Sequence, residues 1–128
     1  RVERKRIEEK IESEKEGIKR KVIEKNCKGE PEPWFYLLHP INPYEDKGKC
    51  VYVFVKRFQV LSKNSGLFEM VIGTGYRILY IEFNEPIRYV RYFGLAKILG
   101  EYTYMTQSRN YNTVPKLKMI LVTERWVF

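Results

Sequence analysis

The sequence predicts a mainly β chain, a small five-stranded barrel preceded by a charged α-helix. Three observations carry this. Residues 1–26 are dominated by Glu, Lys, Arg and Ile, which form or tolerate helix. From residue 49 the apolar pattern changes to a period of two, and glycine, asparagine and proline break it at strand-length intervals. Aromatic residues make up 15% of the chain, with ten tyrosines and seven phenylalanines, a richness foreign to disordered segments. At 128 residues the chain is one domain with room for an appendage.

The expected organisation is a charged helix over residues 1–29, a proline-rich connector over 30–48 and the barrel over 49–128. In the helix, Val2, Ile7, Ile11, Ile18, Val22 and Ile23 form a narrow apolar stripe. Glu12 with Lys15 and Glu16 with Arg20 stand at spacings that allow ion pairs. Gly17 weakens the middle by about 1 kcal/mol relative to alanine. Such a helix either lies on the barrel through its isoleucines or stands off as a stalk. Pro31, Pro33, Pro40 and Pro43 forbid a regular helix in the connector. The run from Trp34 to Leu38 is expected to pack as a short strand or turn, and residues 42–48 read as a turn.

In the first barrel strand Val51, Val53 and Val55 alternate with Tyr52, Phe54 and Lys56, and the pattern is expected to continue to about Leu61. Lys63-Asn64-Ser65-Gly66 reads as a hairpin turn, and residues 67–72 as the second strand. Gly73-Thr74-Gly75 ends it; without a following helix or a Lys-Ser/Thr pair it reads as a turn, not a phosphate loop. Residues 76–83 are the third strand, rich in β-branched and aromatic side chains. Residues 87–99 are the fourth, extended by 101–106, with bends or bulges at Gly94 and Gly100. Residues 114–122 are the fifth, with Pro115 at its start. Only about one helical turn fits between the third and fourth strands. Five strands need their edges closed, and a long bent first strand followed by glycine-bent partners is the rhythm of an OB-fold, with an SH3-like barrel as competitor.

Several residues carry a resemblance. Asn42-Pro43-Tyr44, Lys47-Gly48-Lys49, the valine-rich strand and Ser65-Gly66-Leu67-Phe68 resemble the opening of small bacterial OB-fold domains found in secreted or lipid-anchored proteins. Leu99-Gly100-Glu101-Tyr102-Thr103-Tyr104 and Thr113-Val114-Pro115-Lys116-Leu117 are similar to their ending. The likeness spans residues 42–122. Ser108-Arg109-Asn110 departs from it, standing where a glycine-containing turn belongs. The resemblance implies a binding or accessory module of the cell envelope and supplies no catalytic residues.

Cys27 and Cys50, 23 positions apart, are expected to form a disulfide outside the cytoplasm or to be two small buried thiols within it. The resemblance favours the bond. A chain that opens on Arg1 is expected to follow a removed segment, for which a signal peptide or membrane anchor fits. No apolar run approaches the ~20 residues of a membrane helix. With two glutamines, Gln59 and Gln107, and abundant Lys and Glu, the composition also resembles that of heat-adapted proteins.

Catalysis and metal binding find little support. His39 is the single histidine and lacks Cys/His partners at ligand spacing. No Ser-His-Asp or Cys-His arrangement has a signal, so neither enzyme activity nor a cofactor or metal is expected. Lys and Arg number 24 against 16 Asp and Glu, a net charge of +8. That balance is compatible with anionic partners and equally with spare surface lysines. The candidate contact surface is Tyr52, Lys56, Arg57, Arg77, Tyr80, Arg91, Tyr102 and Tyr104. Exposed, these rings and cations would form the surface on which single-stranded nucleic acid stacks. Alternatively the rings fill or rim the core. The expected partner is a protein or envelope component, with single-stranded nucleic acid as the alternative.

Overall fold

The computed structural model describes residues 2–33, 42–71 and 78–128, and for 2–8, 11–13 and 32–33 the backbone alone. The elements are α1 (Val2–Asn26), β1 (Glu32–Pro33), β2 (Cys50–Ser62), β3 (Ser65–Met70), β4 (Ile78–Glu82), β5 (Arg91–Met105) and β6 (Tyr111–Trp126). The sheet order is β1-β2-β3-β4-β6-β5, and β5 pairs back onto β2. Strands β2–β6 therefore close into a five-stranded barrel. Neighbours are antiparallel except β4 and β6, which run parallel. This is an OB-like barrel with one N-terminal helix, as the sequence predicts.

Two apolar clusters hold it together. The barrel interior takes Val51, Val53 and Val55 from β2, Phe68 from β3, Leu79 and Ile81 from β4, Tyr92, Ala96 and Ile98 from β5, and Leu117 and Met119 from β6. The period-two pattern of the sequence put these side chains on one face. Burying each large aliphatic chain contributes on the order of 2 kcal/mol. The second cluster lies outside the barrel, under the helix: Ile23, Cys50 and Leu95, with Cys27, Tyr52, Ile120 and Leu121 packed against them. Leu95 and Ala96 are both buried because one faces the helix and the other the core.

The helix meets the barrel at its C-terminal end. Ile23 is buried while Ile18 is 60% exposed. Asn26 Nδ2 donates to the Val22 carbonyl at 2.9 Å, the Lys28 amide leaves the helix to bond the Gly48 carbonyl at 2.9 Å, and Gly29 then turns the chain with a φ of 78°. Cys27 and Cys50 form a disulfide with Cα atoms 5.3 Å apart. Arg20 departs from the expected pairing with Glu16. Its guanidinium reaches Glu30 in the connector through two bonds of 2.7 and 3.0 Å, with Glu24 at 3.8 Å. In the turn before β2, Asn42 Oδ1 accepts from the Tyr44 and Glu45 amides, and Asp46 Oδ2 accepts from the Asn42 amide.

The strand boundaries differ instructively. The hairpin turn is Lys63-Asn64, since Ser65 and Gly66 already pair with β2 and β4. β4 ends at Glu82, one residue before the predicted end. β5 begins at Arg91, not Ile87. Residues 87–90 cross the end of the barrel instead. Ile87 donates to the Lys63 carbonyl and Val90 to that of Trp126, and the buried Tyr92 hydroxyl accepts from the Arg88 and Tyr89 amides, both at 3.2 Å. The 83–90 link contains no helix. β6 starts three residues before Val114, which places Pro115 inside the strand. Proline is tolerated there because β4 joins β6 only from Tyr80↔Lys116 onward and Gly100 disrupts the register on the β5 side. The two-residue β1, which lies in the connector, has no sequence signal. The predicted Trp34–Leu38 element, His39 and the 73–75 turn lie outside the described residues.

Candidate functional site

The predicted contact residues fall on three separate parts of the barrel. Tyr52 belongs to the helix face. Its ring stacks on Phe93 at 6.3 Å, and Phe54 bridges Phe93 and Trp126 at 6.2 and 5.1 Å. Lys19 from α1 lies 5.0 Å from the Tyr52 ring centre. Hydrogen bonding to Tyr52 holds the Lys19 ammonium above its usual pKa. Lys19, Arg20, Ile23, Glu30, Pro31 and Tyr52 line a cleft of about 220 Å³ between helix and barrel. The Arg20 guanidinium holds the Glu30 carboxyl below the usual carboxylate value. Tyr52 thus joins helix to barrel.

The second part lies on β4, β6 and β5. Tyr80 and Tyr102 stack face to face, their centres 3.9 Å apart. Lys116 sits 5.9 Å from the Tyr80 ring and 3.5 Å from Glu82. Lys97 and Lys118 stand directly opposite each other on β5 and β6, and neither has an ion pair among the described residues. Beyond Gly100↔Lys116, β5 and β6 pair only with each other among the described residues and form a two-stranded arm. Thr103 and Thr113 share a hydroxyl bond of 2.8 Å, and Asn112 reaches the Tyr104 hydroxyl at 3.5 Å. Near the tip Met105 pairs with Tyr111, and Tyr111 is 73% exposed. Arg109 turns the tip with a φ of 64°, taking the conformation expected of a glycine. The arm presents rings, hydroxyls and amides to solvent with few charges.

The third part gathers Lys56, Arg57 and Arg91. Lys56 and Arg91 are register partners on β2 and β5, and the Arg91 Nε is buried without a hydrogen-bond partner among the described residues. Lys97, Lys116 and Lys118 join Tyr80 and Tyr102 through strand pairing that the sequence does not display. Phe58, Val60 and Leu61 are exposed on β2. The alternation expected to run to about Leu61 instead stops at Val55, because β5 pairs with β2 only as far as Lys56 and residues 56–62 are all exposed. Arg77 lies outside the described residues.

Among the described residues no group of His, Cys, Asp and Glu is arranged to hold a metal ion. None of the described helices is long and apolar enough to cross a membrane. A second open groove, about 270 Å³, runs along Phe83, Asn84 and β6, with the Glu85–Arg125 ion pair of 3.1 Å at its rim. The arrangement offers contact chemistry: rings, cations that have no ion pair among the described residues, and a projecting polar arm. No family model, curated protein or solved structure matches the chain.

Proposed function

We propose that this chain is a non-catalytic binding or structural accessory module of the cell envelope, working outside the cytoplasm and touching its partner through the β5–β6 arm. The Cys27–Cys50 disulfide carries this reading. Such bonds persist in oxidising compartments and are rare in the cytosol, heat-adapted organisms excepted. The likeness to small secreted or lipid-anchored OB-fold domains supports the same placement. The arm supports a contact role, since it spends exposed Tyr111 and Met105, with a half-buried Tyr104, beyond the barrel core. The partner is a protein or other envelope component that meets rings and hydroxyls.

The test is thiol blocking in intact cells of the source, followed by mass measurement with and without reductant. Protection of both cysteines until reduction is the expected result. Two freely alkylated thiols would sink the reading. A second reading, binding of single-stranded nucleic acid, draws on the Tyr80–Tyr102 stack beside Lys116 and the unpaired Lys97 and Lys118. It requires oligonucleotide affinity that falls steeply with salt and weakens in Tyr102→Ala.

A further inference from the structure

β2 changes character halfway along. Up to Val55 its residues alternate between the core and the outer face, whereas residues 56–62 are all exposed. The cause is topological: β5 stops pairing at Lys56↔Arg91, and β3 alone continues beside the projecting half. On that half Phe58 is 58%, Val60 45% and Leu61 41% exposed. The Arg57 backbone amide donates to the Val90 carbonyl at 2.6 Å and the Ile87 amide to that of Lys63 at 2.9 Å. These bonds draw Arg88 and Arg91 alongside Lys56, Arg57 and Lys63. None of the five cations has an ion pair among the described residues. Nearby, Glu69 stands in register with Lys56 without bonding it, and Glu85 is taken by Arg125. Lys56 has Glu69 opposite on β3, but Arg91 opposite on β5 is a like charge, and like charges placed directly opposite destabilise a sheet.

We propose that this projecting half of β2 docks the protein on an anionic lipid surface. Phe58, Val60 and Leu61 would enter the interface, and the five cations would meet the head groups. The inference rests on the envelope reading and names a partner for a second face of the molecule. Charge complementarity selects the lipid, because an apolar strip rimmed by unpaired cations matches an interface that is apolar within and negative at its surface. A stable protein interface takes roughly 20–30 residues from each side. This ridge offers three apolar and five cationic ones.

The experiment is co-sedimentation of the oxidised full chain with vesicles. One set is phosphatidylcholine and phosphatidylglycerol in equal parts, the other phosphatidylcholine alone. Binding to the anionic set only, weakening with salt, is expected. Arg57→Gln and Lys63→Gln should each lower partitioning about fivefold, and Phe58→Ser about tenfold. Lys47→Gln removes the same charge from an exposed loop at the other end of β2, and should change it less than about twofold. All four positions are exposed, so unchanged melting temperatures will show that the variants fold. Absent anionic binding, equal loss with Lys47→Gln, or indifference to Phe58→Ser would each overturn the proposal. So would oligonucleotide binding with the same residue dependence and no vesicle binding. Failure on vesicles with Cys27–Cys50 oxidised in cells removes the lipid face and leaves the envelope reading. Vesicle binding with both thiols free in cells supports the ridge and removes that reading.

Discussion

Gly94 shows how one missing side chain sets the barrel's shape. A Cβ there would meet the Leu121 carbonyl oxygen, with Met119 Sδ at 2.8 Å and the Val122 Cα at 3.1 Å. The register between β5 and β6 shifts beside it, so the glycine lets two strongly bent strands touch. Gly94→Ala should destabilise the protein by about 3 kcal/mol, because a backbone carbonyl cannot move aside as a side chain can. Thermal melting would show a fall of roughly 10 °C; an unchanged midpoint would refute the close-approach argument. Arg109 is the opposite case, a bulky residue where glycine fits. The left-handed conformation costs a non-glycine residue about 1–2 kcal/mol, offset in part by glycine's greater freedom when unfolded. Arg109→Gly should therefore raise stability by about 0.5 kcal/mol in denaturant titration, and a loss would refute it. Gly94 was legible as a bend in the sequence. Arg109 was legible only as an anomaly, since sequence shows where a turn falls but not the φ its residues take.

At the scale of elements, the helix is an adjunct held at one end. Its fixings are the disulfide, the Ile23 cluster, the Lys19 contact with Tyr52 and the Arg20–Glu30 pair. Closing a loop of this length contributes about 3 kcal/mol in the chain-entropy model. The double variant Cys27→Ser with Cys50→Ser should lower unfolding stability by about that amount, and denaturant titration would measure it. A loss well below 1 kcal/mol would show that the other contacts already fix the helix. The Arg20–Glu30 pair sets a pH dependence with a definite sign. Glu30 has a folded pKa below its ordinary 4.5, so its contribution is fully present above that value. It is lost as pH falls through the depressed folded pKa. Acid titration of the Glu30 carboxyl by NMR should give a midpoint below 4.5, moving up in Arg20→Gln. An unmoved midpoint would show that the pair is absent in solution. The sequence announced a charged helix with candidate pairs, but Arg20 turned to Glu30 because the connector folds back beside it.

The whole molecule divides into a closed barrel and a lever attached to its outside. Barrel strands share one dense interior of fully buried side chains, while α1 has a small outer cluster. Regions with few buried contacts open first. Hydrogen exchange should therefore leave the amides of Val53, Leu79, Ile98 and Leu117 slowest, at the rate of global unfolding, while those of residues 9–18 exchange much faster. Equal protection across both would refute the division. Barrel closure rests on the β4–β6 parallel pairing, three residue pairs long, between strands far apart in sequence. No local pattern announces such a contact.

The candidate surface was only partly legible for the same reason. The alternation of Val51, Val53 and Val55 determined which side chains fill the core, because a strand's faces follow from period two. The Glu/Lys/Arg/Ile composition determined the helix, and the spacing of turns determined five strands. Tertiary structure decided what the outward residues meet. It stacked Tyr80 on Tyr102 across β6, put Tyr52 under the helix and joined Cys27 to Cys50. It also started β5 only at Arg91, beside Lys56, leaving Phe58, Val60 and Leu61 in solvent. A residue's neighbours along the chain fix the direction of its side chain, whereas its neighbours across the sheet depend on where distant strands start and stop.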